Sequence, residues 1–92
     1  VDLMSPKWDH NQAIASVREK PETLLCDLLM DQTIFAGLGN IIKNEVLYRL
    51  RMHPNRKVSS LSNRQLNDLV SEARHYSKQF YNWKKANELK RN

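Results

Sequence analysis

Gly37-Leu38-Gly39-Asn40 is the stretch of this chain whose residue types and spacing could do chemistry. It holds the only two glycines of 92 residues, set two apart between apolar segments. Glycine permits positive φ, as a tight chain reversal needs, and lets a ligand approach the backbone closely. If a helix begins at Asn40, its first peptide N–H groups lack intrahelical acceptors and sit at the positive end of the helix dipole. A phosphate oxygen suits such groups. Asn40 can cap the helix through its carbonyl oxygen or offer its amide donors to a phosphate. Lys43, one turn on, adds a cation. The competing reading of the same pattern is a tight αα-turn that binds nothing.

Four helices are predicted to position this segment, in an all-α fold without a sheet. The first runs from about Asp9, a plausible N-cap, to Glu19, with Ala13, Ile14 and Val17 as its apolar stripe. Pro21 separates it from a second, about Glu22 to Asp31, with Leu24, Leu25, Leu28 and Leu29 at helical spacing. The third spans about Asn40 to Met52 and is expected to bury Ile41, Ile42, Val46, Leu47 and Leu50, with Pro54 enforcing the stop. The fourth opens on a capping box, Ser62 at N-cap and Gln65 at N3, with Leu61 and Leu66 placed for a hydrophobic staple. Leu66, Leu69, Val70, Ala73, Tyr76, Phe80 and Trp83 continue its apolar face to about Lys85.

Charge is distributed unevenly within a net +5. Residues 1–50 carry five Lys/Arg against seven Asp/Glu, a net −2, and residues 51–92 carry ten against three, a net +7. That asymmetry points to a polyanionic partner, nucleic acid first. Cys26 is the only cysteine, which excludes an internal disulfide and a thiolate zinc cage. Its apolar setting reads as a small buried hydrophobe in a reducing intracellular, cytoplasmic compartment. His10, His53 and His75 lack ligand spacing, so no metal site is expected, and His53 before Pro54 reads as a turn residue. No run approaches the roughly 18 apolar residues of a membrane span, and no partner membrane is expected.

Leu29-Met30-Asp31-Gln32, Gly37-Leu38-Gly39-Asn40-Ile41-Ile42-Lys43-Asn44-Glu45-Val46-Leu47-Tyr48 and His53-Pro54 together resemble the formamidopyrimidine-DNA glycosylase and endonuclease VIII family. The matching element is that family's helix–two-turn–helix. Leu3-Met4-Ser5 with Trp8 and Leu61-Ser62 extend the resemblance over essentially residues 1–92, read as a single helical domain. The resemblance implies a partner, duplex DNA, held by its phosphate backbone while a damaged nucleotide leaves the stack. It implies that Asn40, the backbone of Gly37, Leu38 and Gly39, and nearby Lys43 form the phosphate site, with Gln32 and Glu45 bracing the hairpin and the helix start.

The departures are as specific. The family's nucleophile is an N-terminal proline amine followed by a glutamate, whereas this sequence starts Val1-Asp2. One cysteine cannot supply the zinc ribbon that most family members carry. The sequence is therefore expected to be a segment of a longer DNA glycosylase/AP lyase, with no catalytic residue or cofactor of its own and zinc only in a finger elsewhere in the parent. The parent's remaining domains would be its other partners. Lys43 near a Gly-x-Gly also suits the lysine nucleophile of helix–hairpin–helix glycosylases, but those need a distant aspartate and a larger scaffold. Tyr76, Phe80, Tyr81, Trp83, Lys84 and Lys85 mix rings and cations as single-strand binders do, with Tyr81 the ring expected to be exposed. An RNA-binding helical module and a protein-interaction bundle are the alternative classes.

Overall fold

A computed structural model describes residues 2–90, with side chains described to Asn87. Its order is α1 (His10–Arg18), α2 (Leu25–Leu29), α3 (Asn40–Arg49), a 3-10 turn (Val58–Ser60) and α4 (Asn63–Lys90). Two isolated bridges, Asp2 with Ala36 and Leu24 with Lys57, are the only β pairings among the described residues, so the fold is all-α.

The local signals act where the sequence puts them. Asp9 caps α1 by accepting from the amides of Asn11 at 2.9 Å and Gln12 at 3.2 Å. At α4 the capping box closes both ways: the Ser62 amide donates to Gln65 Oε1 at 2.9 Å, and the Gln65 amide to Ser62 Oγ at 3.1 Å. Leu66 is buried, and Leu61 is partly buried against the core.

Two helices differ from expectation. α2 lasts five residues, because Leu24 is extended (φ −73, ψ 148). There it exchanges ladder bonds with a distant loop, Leu25 amide to Arg56 carbonyl at 2.9 Å and Val58 amide to Thr23 carbonyl at 3.0 Å. α3 ends at Arg49 rather than Met52. The Arg51 amide bonds back to the Tyr48 carbonyl at 3.1 Å and the Met52 amide to the Leu47 carbonyl at 2.9 Å. This is a Schellman termination, with Arg51 at φ 55 in the position that usually takes glycine. Beyond it, His53 is a turn residue, its Nδ1 accepting from the Asn55 amide at 3.0 Å.

The core gathers Leu25, Leu28, Leu29, Phe35, Leu38, Ile42, Val46, Leu69, Val70 and Ala73, with Val17 from α1 and Leu3 from the N-terminal segment. α4 is the spine against which α1 and α3 pack. Its buried stretch ends at Ser77, whose hydroxyl donates to the Ala73 carbonyl, and the helix runs on to Lys90. Ile41, expected inside, is 63% exposed, because the inward face of α3 is filled by Ile42, Val46 and Leu47. Trp83, expected to continue the core face, is also 63% exposed, since α4 has passed the body by then. Cys26 is half-buried.

Arg74 fastens the N-terminal segment to α4. It donates to the Leu3 carbonyl at 3.1 Å and the Ser5 carbonyl at 2.9 Å, and its guanidinium lies 5.2 Å from the centre of the Trp8 ring.

Candidate phosphate-binding hairpin

The hairpin is two turns between α2 and α3, each fixed by a side chain near its start. Asp31 opens the first. Its carboxylate accepts from the Thr33 amide at 2.9 Å and from the Thr33 hydroxyl, and its carbonyl accepts from the amides of Ile34 at 3.1 Å and Phe35 at 2.8 Å. Lys20 completes an ion pair with the same carboxylate. The Lys20 hydrogen bond first, and then that of Thr33, hold the Asp31 carboxyl at about 2, below its usual 3.8.

The lowered value has a sign that can be tested. A depressed carboxylate contributes stability that is fully present above the unfolded pKa and is lost as pH falls through the folded one. Asp31 therefore supports the fold above about pH 4, and its contribution drains away between about pH 4 and 2. The pair is open to solvent, with side-chain exposures of 43% for Lys20 and 20% for Asp31, so screening leaves about 1 kcal/mol. Asp31→Asn should remove that increment at pH 7 and make little difference at pH 2, as read by denaturant unfolding at both values.

The second turn converges on Gly37. Its φ of 96 lies in the left-handed region. Its amide donates to Gln32 Oε1 at 3.0 Å, while Gln32 Nε2 donates to the Leu38 carbonyl at 3.0 Å. Gln32 thus bridges the turn with both ends of one amide group. The Gly37 carbonyl accepts from the Tyr81 hydroxyl of α4. On its remaining side lies Asp2, whose Oδ2 would be 3.0 Å from any Cβ at Gly37.

Gly39 is the N-cap of α3, extended and without a side-chain cap, and Asn40 is the first helical residue. The first bond of the helix runs from the Lys43 amide to the Gly39 carbonyl at 3.0 Å. Among the described residues, no acceptor meets the amides of Asn40, Ile41 or Ile42, nor that of Gly39. The Asn40 side chain is exposed, Lys43 is half-buried one turn on, and neither side chain has a hydrogen-bonding partner among those residues.

Several residues do something other than the sequence suggested. The amides of Gly37 and Leu38 are occupied, the first by Gln32 and the second by the Phe35 carbonyl at 3.1 Å. Leu38 is a core side chain, 2% exposed. The open donors begin two residues later than expected, at Gly39. Glu45 meets neither hairpin nor helix start. It pairs with Arg49 at 3.2 Å, and Arg49 bonds in turn to Glu72 at 3.1 Å and stacks on Tyr76. Tyr81, expected to be exposed, is half-buried on Gly37. Sequence reasoning missed Tyr81 and Asp2 as hairpin residues; the one available signal was that Tyr81 falls off the apolar stripe that Phe80 continues.

A hairpin of two turns ending in an uncapped helix start, clamped from within by a glutamine, defines a helix–two-turn–helix domain. The chain belongs to the family described as the formamidopyrimidine-DNA glycosylase H2TH domain, which matches residues 2–80. It is 42% identical over 86 residues to mouse endonuclease 8-like 3, covering 94% of this chain and 14% of that protein. It is 42% identical over 77 residues to mouse endonuclease 8-like 2, covering 84% of this chain and 23% of that one. A crystal structure of a viral DNA glycosylase superposes with a TM-score of 0.80 at 25% identity, over 95% of this chain and 33% of the other. The chain thus spans about a seventh of the endonuclease 8-like 3 sequence.

Proposed function

We infer that this domain grips the phosphate backbone of duplex DNA for a base-excision-repair glycosylase acting on damaged bases, in an intracellular setting. The observation that carries the reading is the run of unpartnered amides from Gly39 to Ile42 at the positive end of α3, with Asn40 and Lys43 on the same turn. A phosphate oxygen satisfies those donors, and Gln32 bridges the turn that leads into them. Relatives named as endonucleases and a DNA glycosylase support DNA as the polyanion. Bond cleavage belongs, in this reading, to other parts of the parent enzyme, and this domain supplies grip and register. Phosphate contacts fix position without reading bases, so affinity should barely vary with duplex sequence.

The test is a salt titration of duplex binding by the folded chain and two variants. Neutralising two or three phosphates gives a slope of log K against log salt near −2 to −3, at roughly 0.9 per phosphate. Asn40→Ala removes a hydrogen bond to a charged acceptor, on the order of 1.5–3 kcal/mol, and should leave the slope in place. Lys43→Ala should lower the slope by about one unit. If Asn40→Ala binds as tightly as the unmutated domain, the hairpin is only a turn.

A further inference from the structure

Lys43 would supply only about one unit of the expected slope, so the rest of it would need other cations near the hairpin. The hydroxyl of Tyr81 points to where. It reaches 44 residues back to the Gly37 carbonyl, three positions before Asn40. Positions three and four apart on a helix are surface neighbours, about 5–6 Å between their Cβ atoms. Lys84 and Lys85 stand three and four residues after Tyr81, and Lys78 three before it. All three are exposed, and none enters an ion pair with a described residue, whereas Lys20, Arg49 and Lys57 are each committed to a carboxylate. The turn of α4 that carries Lys84 and Lys85 extends past the buried body, since exposure is continuous from Asn82 to Ala86. Tyr81 therefore places this basic turn, unpaired among the described residues, about one helical turn beyond the contact with the Gly37 carbonyl. Among the described residues Asp2 is the acid beside Gly37, and its carboxylate is engaged by the Met4 amide at 2.7 Å.

We propose that Lys84 and Lys85 form a second phosphate subsite, engaging the DNA strand beside the phosphate held by the hairpin amides. Tyr81 is the positioning residue that sets the distance between the two subsites. This rests on the hairpin reading above and names where its remaining charge contacts lie. It also gives a role to two of the ten Lys/Arg of the basic half, residues 51–92.

Competition-free anisotropy titrations on a short fluorescent duplex, over a range of salt, separate the two readings. The variants are Asn40→Ala, Lys84→Ala/Lys85→Ala, Lys84→Arg/Lys85→Arg and Tyr81→Phe, each first matched to the unmutated chain by circular dichroism. The alanine pair should lower the slope by about two units, toward −1. The arginine pair should restore the slope, because charge and not packing is at work. Tyr81→Phe should weaken binding by severalfold and be non-additive with the alanine pair, as expected of coupled sites. An alanine pair with an unchanged slope overturns the second subsite; if Asn40→Ala still weakens binding, the hairpin reading survives it. An alanine pair that lowers the slope while Asn40→Ala does nothing overturns both, leaving a basic helix that acts without the hairpin. Strict additivity of Tyr81→Phe with the alanine pair removes Tyr81 from the positioning role.

Discussion

Phe35→Ala is expected to cost about 3–5 kcal/mol, the range for emptying a fully buried phenylalanine site. Phe35 is 0% exposed and is the apolar post between the two turns. Its amide bonds to the Asp31 carbonyl at 2.8 Å, and its carbonyl accepts the Leu38 amide at 3.1 Å. The ring therefore anchors both turns to the core below. A domain of this size has only about 5–14 kcal/mol of total stability, at 0.05–0.15 kcal/mol per residue, so the substitution should lower Tm by on the order of 20 °C. Calorimetry would check this. A loss under about 1 kcal/mol would mean that the hairpin holds itself together without the core.

Gly37→Ala should have the next largest effect, and it acts through the backbone. A non-glycine residue held at such a φ costs about 1–3 kcal/mol. The new Cβ would also press on the Asp2 carboxylate, 3.0 Å away. The side chain of Asp2 can swing, but it gives up its bond to the Met4 amide if it does. Relief of the strain would rotate the turn and misalign the open amides that follow, so DNA affinity should fall by on the order of tenfold or more beyond the stability loss. Gly39→Ala is the control. Gly39 has extended φ and nothing within 4 Å of a Cβ, so it should cost under about 1 kcal/mol. Equal effects at the two glycines would show that left-handed backbone at Gly37 is not what shapes the hairpin.

The parts of this molecule legible from sequence are those whose physics is local. Asp9, Ser62 and Gln65 work within three residues of themselves, and their roles read directly from residue type and spacing. The helical periodicity of Leu66, Leu69, Val70 and Ala73 likewise identifies an inner face without further knowledge. What was not legible depends on partners far along the chain. α2 is short because Leu24 pairs with Lys57, 33 residues away, and no periodicity carries that information. Ile41 and Tyr81 have exchanged their expected environments for the same reason. At the start of α3 the inward face is taken by Ile42, leaving Ile41 63% exposed, while the tyrosine finds a carbonyl 44 residues upstream. The hairpin was located correctly by its glycines, but which of its amides are open depended on Gln32 and the Phe35 carbonyl, whose geometry is a property of the folded turn.

Arg74 and the two carbonyls it holds, those of Leu3 and Ser5, are 71 and 69 residues apart in sequence. Helices with internal contacts form on the microsecond scale, whereas joining distant segments must first overcome the entropy of closing the intervening loop. The N-terminal segment is thus held to α4 by contacts of long sequence separation, whose formation carries the loop-closure cost. When it lifts, Leu3 leaves the core, the Leu3 amide loses the Ala36 carbonyl, and Gly37 loses the carboxylate packed against it. Sub-global opening at this one seam would loosen the hairpin while α1, α3 and α4 stay folded. The phosphate-facing hairpin is thereby tied, through Asp2 and Leu3, to the same seam that Arg74 closes.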